Sequence, residues 1–269
     1  MTKLIFTDID GTLMQEGSMK LNPAYFEMIR KLTDRGIQFA VASGRHSVSV
    51  KQVFAPVLDC IYVVTQNGNV IEQNGHSKVL NPIPNDWVRE FWHDLSKIDD
   101  VEGVLDTAKG TYCPFHGTKM HHILTDEYHY NTLALGGWDH IPDDEYSMMT
   151  IYHPIPGQAE VLNKEIIAPK WAGRLDLMSS GSYWIDCIMK DVSKGNALLH
   201  LCDQLGIAPE ETISFGDNMN DISMLKAAGI GHAVDNARAE VQAAADLVIP
   251  GFRKDGVLHV LENVLANAA

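Results

Sequence analysis

Four short segments carry side chains that could do chemistry: Asp8-Ile9-Asp10-Gly11-Thr12-Leu13, Ser43-Gly44-Arg45, Lys194-Gly195 and Gly216-Asp217-Asn218-Met219-Asn220-Asp221. Asp8, Asp10 and Asp217 would crowd three carboxylates into one site. Crowded carboxylates raise one another's pKa unless a cation neutralises them. Oxygen-only ligands favour a hard ion such as Mg2+, which binds through one or two carboxylates and completes its shell with water and phosphate oxygens. Lys194 adds a point charge for phosphate oxygens. Ser43 offers a hydroxyl, and Gly11 and Gly44 allow backbone N–H groups to come close. Asn220, at a predicted helix start, adds an amide donor beside the positive end of the helix dipole. The set suits a phosphoryl group better than a neutral ligand.

Elements able to gather these segments are legible on either side of them. Leu4-Ile5-Phe6 is a short apolar run ending in acids, the pattern of a buried parallel strand. Asn22-Pro23 reads as an N-cap with proline in the first helical position, followed by Tyr25, Phe26, Met28, Ile29 and Leu32 at helical spacing. Strands are expected at Phe39–Ala42 and Ile61–Val64, a helix at Ser47–Phe54 and a turn at Asn67-Gly68. The last third repeats the rhythm. A helix capped by Ser193 stops at Gly206, a strand covers Thr212–Phe215, and strand and helix alternate to Ile249. Such alternation argues for a parallel sheet with helices on both faces. In an open sheet of that kind, ligands bind beyond the carboxyl ends of the strands. Three of the four segments follow predicted strands directly.

The middle of the chain differs. Asp86–Ile98 reads as an amphipathic helix whose Trp87, Phe91 and Trp92 belong to a core. Strands are expected at Val101–Leu105, Ser147–Tyr152, Arg174–Met178 and Tyr183–Ile188, with a helix near Gln158–Ile167 and a hairpin turn at Gly181-Ser182. His116, His121, His122 and His129 cluster in sequence, but their spacing enforces no metal geometry, and a solvated or substrate-facing segment is the expectation.

The segments, in this order, resemble the motifs of haloacid-dehalogenase-superfamily phosphatases, with Asp8-Ile9-Asp10-Gly11-Thr12-Leu13 first and Gly216-Asp217-Asn218-Met219-Asn220-Asp221 last. The insertion between the second and third is similar to that of the Cof-type hydrolases, and the likeness covers essentially the whole length. It implies an α/β fold: a Rossmann-like parallel-sheet core of residues 1–81 and 187–269, with an inserted α+β cap domain of residues 82–186 that selects substrate. It implies a phosphatase in which Asp8 is the nucleophile, forming an aspartyl-phosphate, and Asp10 is the general acid and then base. Mg2+ would be held by the Asp8 carboxylate, the Asp10 backbone carbonyl and Asp217. Ile9, Ser43, Gly44, Lys194 and Asn220 match phosphate-contacting positions. Asp221 would support the metal or Lys194. Arg45 would meet the leaving group or the cap, and Asn67 would lie near the cleft. Met14 and Asp186 depart from the common pattern, where leucine and glutamate are usual. The substrate expected is a small phosphorylated metabolite such as a sugar phosphate. A sugar phosphomutase and a non-catalytic phospholigand-binding protein are the alternatives.

Composition limits the partners. A formal net charge of -14 disfavours nucleic acid and anionic membrane surfaces. Cys60, Cys113, Cys187 and Cys202 form no C-x-x-C pair, which argues against a disulfide framework or a cysteine zinc site. The N-terminal apolar run is too short for a signal peptide and is broken by Asp8 and Asp10, so a soluble cytoplasmic protein is expected. Oligomeric state is left open by the sequence.

Overall fold

The computed structural model describes residues 1–45, 47–179 and 181–268. The chain forms two compact units, Met1–Ser77 with Val192–Ala269, and Lys78–Asp191. The elements up to the second unit are β1 (Leu4–Asp8), α1 (Ala24–Asp34), β2 (Gln38–Ala42), α2 (Ser47–Val53), β3 (Tyr62–Thr65), β4 (Val70–Gln73) and β5 (His76–Val79). Then come α3 (Asn85–Leu95), β6 (Glu102–Thr107), β7 (Thr111–Cys113), α4 (Lys119–His122), β8 (Thr132–Ala134) and β9 (Tyr146–Tyr152). They are followed by α5 (Gln158–Leu162), α6 (Ala168–Trp171), β10 (Leu175–Ser179) and β11 (Trp184–Met189). The chain returns to the first unit with α7 (Lys194–Leu205), β12 (Thr212–Gly216), α8 (Ile222–Ala227), β13 (Ile230–Val234), α9 (Ala239–Ala244), β14 (Leu247–Ile249) and α10 (Gly256–Ala266).

The first unit is built on an eight-stranded sheet in the order β14-β13-β12-β1-β2-β3-β4-β5. Pairing is parallel from β14 to β3, and β4 is antiparallel to β3. Leu4, Ile5 and Phe6 are completely buried, as a central parallel strand covered on both faces requires. Ile5, Phe39, Val41, Val63 and Phe215 share a core with Tyr25, Ile29 and Leu32 of α1 and Leu261 of α10. The helical spacing of the α1 residues is what lines them up on one face. Asn22 Oδ1 accepts from the Ala24 N–H at 3.1 Å, so the asparagine caps the first turn while Pro23 already has helical dihedrals.

The second unit contains a six-stranded sheet in the order β10-β11-β9-β6-β7-β8. Neighbouring strands pair antiparallel except β7 with β8, which are parallel. One face carries Leu105, Met149, Ile151, Ile185 and Cys187 against Val88, Phe91, Trp92 and Leu95 of α3 and Trp171 of α6. Phe91 meets Trp171 edge-on at 5.1 Å between ring centroids, a favourable geometry for the ring quadrupoles. Strand alternation puts Val104, Asp106, Thr150 and Asp186 on the other face. There Thr150 Oγ1 donates to Asp186 Oδ1 at 3.2 Å.

Three features of this unit differ from expectation. Strands β7 and β8 are only three residues each, too short for an alternating pattern to declare itself. The helix begun at Gln158 passes through a π-helical turn at Asn163–Ile167 and continues to Trp171. The histidine segment is not uniformly solvated, because His121 is buried and its ring centroid lies 4.3 Å from that of His116. Thr118 Oγ1 accepts the His121 N–H, starting a helical turn that folds the ring inward. All four cysteines are free. Among the described residues no helix is long and apolar enough to cross a membrane.

Burial pushes the Asp106 carboxyl from 3.8 up to about 8, with Asp186 adding to the rise. Between these values the folded unit holds a proton that the unfolded chain has lost, so stability falls as pH rises through that window and levels off above it. Asp106→Asn should therefore gain melting temperature relative to wild type steadily from about pH 5 to about pH 8. Thermal scans across that range check it, and a difference independent of pH would contradict it.

Candidate active site

Four neighbouring strand ends set the geometry. Asp8 closes β1, Ser43 and Gly44 follow β2, Gln66–Gly68 follow β3, and Asp217 follows β12. Parallel pairing puts these ends on one edge of the sheet. Lys194 arrives differently, as the first residue of α7. Ser193 Oγ caps that helix by accepting the Asn196 N–H at 3.1 Å. Gly195 lets α7 lie close to Ser223, since a Cβ there would fall 2.5 Å from the Ser223 carbonyl oxygen.

The buried Lys194 ammonium, 1% exposed, donates to Asp8 Oδ1 at 2.5 Å and to Asp221 Oδ1 at 2.6 Å. Asp221 Oδ2 accepts from the Asp217 and Asn218 N–H groups, each at 2.9 Å. Both Asp221 oxygens are thus engaged. Thr12 Oγ1 donates to Asp217 Oδ1 at 3.1 Å. Asp8 Oδ2 is buried without a hydrogen-bond partner among the described residues. Carboxylate oxygens of Asp8, Asp217 and Asp221 lie within 4.8 Å of one another.

The third carboxylate of the cluster is therefore Asp221, where the sequence suggested Asp10. The reason is Arg45, whose Nε and Nη2 donate to the two Asp10 oxygens at 2.6 and 2.5 Å. The Gly17 N–H adds a bond to Asp10 Oδ1 at 3.0 Å. Arg45 also donates to the Ser18 carbonyl, and its own N–H is accepted by Ser43 Oγ at 3.0 Å. Ile9 is buried within the turn after Asp8, its carbonyl accepting the Leu13 N–H at 2.9 Å. Gly44 and Asn220 are exposed, and Asn220 Nδ2 donates to Asn67 Oδ1 at 3.0 Å.

Two supporting residues escaped the sequence reading. Thr12 stands inside the first motif, but its partner Asp217 is 205 positions away, beyond any spacing rule. Asn236, which donates to the Gly11 carbonyl at 2.8 Å, carries no sequence signal at all.

Burial raises the Asp8 carboxyl to about 8 against the pull of Lys194, and Asp221 and Asp217 reinforce the rise. Burial likewise lifts Asp217 to about 6, with Asp221 adding to it and Thr12 opposing. For Lys194, burial works against the charge, but Asp221 and Asp8 outweigh it and raise its pKa. With all three carboxylates ionised, one ammonium leaves a net charge of two negatives, the complement of one divalent cation. The clustered oxygens of Asp8, Asp217 and Asp221, with Asp8 Oδ2 unpartnered, fit such an ion, and an all-oxygen donor set suits a hard one.

The chain as a whole is similar to known proteins. Residues 5–261 match the family model described as haloacid dehalogenase-like hydrolase. The chain is 26% identical over 271 residues to the 5-amino-6-(5-phospho-D-ribitylamino)uracil phosphatase YbjI of Escherichia coli, covering 99% of this chain and 97% of that one. A crystal structure from Eubacterium rectale superposes with a TM-score of 0.89 at 33% identity, over 98% of this chain and 99% of that chain. The subclass IIB sugar phosphatase BT4131 gives a TM-score of 0.71 at 25% identity, with 98% and 99% covered.

Removing the ammonium tests how far the cluster depends on it. Lys194→Met should cost about 3–5 kcal/mol of stability near neutral pH, because it strands buried carboxylates. The loss should shrink in acid, where the carboxylates are protonated. Urea unfolding at both pH values measures it, and a loss below about 1 kcal/mol at neutral pH would show that the cluster tolerates the missing charge.

Proposed function

The chain belongs to the haloacid dehalogenase-like hydrolases and is a phosphatase, and from this premise we propose that it hydrolyses small phosphomonoesters such as sugar phosphates, with Mg2+, through a phosphoryl group carried on Asp8. The observation that carries the reading is the buried Asp8 carboxylate, clustered with Asp217 and Asp221, with one oxygen tied to Lys194 and the other unpartnered. A carboxylate held this way is ready to meet phosphorus once its charge is balanced.

In the first step an Asp8 oxygen bonds to phosphorus as the ester P–O bond breaks, and Asp10 gives its proton to the leaving oxygen. In the second, water attacks phosphorus, Asp10 takes a proton from it, and the bond to Asp8 breaks to free phosphate. Asp10 lies in the Arg45 fork in this structure, and a carboxylate chelated by guanidinium is a poor proton donor. It must leave the fork to act. Lys194, Ser43, Gly44, Ile9 and Asn220 are the candidate donors to the phosphoryl oxygens, and Asp221 aims Lys194. In-line transfer of this kind is won mainly by positioning and preorganised charge. Asp8, Asp217 and the Asp10 carbonyl are the candidate Mg2+ ligands, and the ion would neutralise charge shared between the carboxylates and the phosphoryl oxygens.

Substrate choice is assigned to the Lys78–Asp191 unit, since the residues above address only the phosphoryl group. The esters named for the relatives, a ribityl phosphate for YbjI and sugar phosphates for BT4131, support a small metabolite. Four free cysteines, three of them buried, fit a reducing compartment such as the cytoplasm.

A phosphate-release screen over many phosphomonoesters, with Mg2+ and with chelator, tests the reading. Release should require the ion. Asp8→Asn should retain the fold and lose at least about a thousandfold in turnover, because an amide is a poor nucleophile of the same shape. Near-normal turnover by that variant would remove Asp8 from its role. An isomerised sugar phosphate in place of free phosphate would make the protein a mutase.

A further inference from the structure

At the end of β3 the chain turns through two consecutive non-glycine residues with positive φ, Gln66 at 51° and Asn67 at 56°. Left-handed backbone disfavours residues that carry a side chain, asparagine less than glutamine, and such a pair persists where neighbours hold it. Here the neighbours are the other phosphoryl-site segments. The Asn67 N–H donates to the Ser43 carbonyl at 3.4 Å, and the Asn69 N–H closes the turn on Gln66 at 3.2 Å. Gly68, at φ 108°, presses on the start of α7, where a Cβ would come within 2.4 Å of the Ser193 carbonyl oxygen. Gly44 lies so close that its Cβ would sit 3.2 Å from Asn67 Oδ1.

What this wedged turn presents is the Asn67 side-chain oxygen, which accepts from Asn220 Nδ2 at 3.0 Å. Asn220 itself lies exposed in a single 3-10 turn, Met219–Asp221, which does little to orient its amide. Orientation matters because the two ends of an amide are chemically opposite. A phosphate dianion accepts hydrogen bonds and repels an amide oxygen. A side chain free to rotate would spend part of its time with the wrong end forward.

We infer that Asn67 is a positioning residue: its oxygen takes one N–H of the Asn220 amide and leaves the other for a phosphoryl oxygen. The inference rests on the reading of Asn220 as a phosphoryl contact. It makes the strained turn a brace that ties the β2 end, the β12 loop and the start of α7 into one anion site. Asn67 acts only through Asn220, so its effect must vanish when Asn220 is gone.

The test is a double-mutant cycle read by calorimetric titration of inorganic phosphate in Mg2+, using wild type, Asn67→Gly, Asn220→Ala and the double variant. Glycine keeps the positive φ without strain, so the turn should survive, and Asn67→Ala is the second variant should glycine loosen it. Each single change should weaken phosphate binding about tenfold, as the loss of one hydrogen bond to a charged group would. The double variant should be no weaker than the singles. A twofold or smaller effect of Asn67→Gly, no effect of Asn220→Ala, or a double variant about a hundredfold weaker would overturn the role of Asn67 and leave the phosphatase reading standing. Failure of the wild type to release phosphate from any ester would overturn both.

Discussion

One buried ammonium organises the first unit's chemistry. Lys194 sits between Asp8 and Asp221 with almost no solvent contact. Taking charges out of water is costly, and they stay ionised only if partners replace the lost hydration. The surrounding structure supplies those partners. Ser193 starts the helix that carries the lysine, Gly195 lets it approach, and two backbone N–H groups occupy the far oxygen of Asp221. Asp8 is left half-satisfied, one oxygen bonded and one bare. Natural structures rarely leave such an atom without purpose, and its carboxylate belongs to the cluster with Asp217 and Asp221.

The acids of the first motif have separate fates although a single residue lies between them. Asp8 ends a fully buried strand and shares its charge with Lys194. Asp10 lies beyond the strand, where Arg45 and the Gly17 N–H hold it in a bidentate fork. The roles proposed for them, nucleophile for Asp8 and proton carrier for Asp10, thus fall on carboxylates with different partners, and Asp10 can take up its role only outside the fork. Arg45 is itself anchored to Ser43 and Ser18, so the second motif controls the acid of the first.

The second unit handles polarity in its own way. Its sheet seals an aromatic core on one face and keeps carboxylates on the other. Asp106 is buried enough that burial, more than the charge of Asp186, sets its protonation.

Much of this was readable in the sequence because it depends on local pattern. Apolar runs of strand length alternating with helical periodicity specify a parallel α/β sheet, and such a sheet sends the residues after its strands to one edge. The helical spacing of α1 and the aromatic face of α3 were visible for the same reason. What escaped was decided by pairs distant in sequence. Lys194 and Asp8, 186 positions apart, were expected in one site through their motifs, whereas Thr12 and Asp217, 205 apart, were not paired. No local rule shows that Arg45 withdraws Asp10 from the carboxylate cluster, that Asp221 takes its place, or that Asn67 reaches Asn220. Residue types and spacing determined which groups were available, whereas tertiary structure decided which met, because a charge or an amide in a fold is defined by the partners that replace its water.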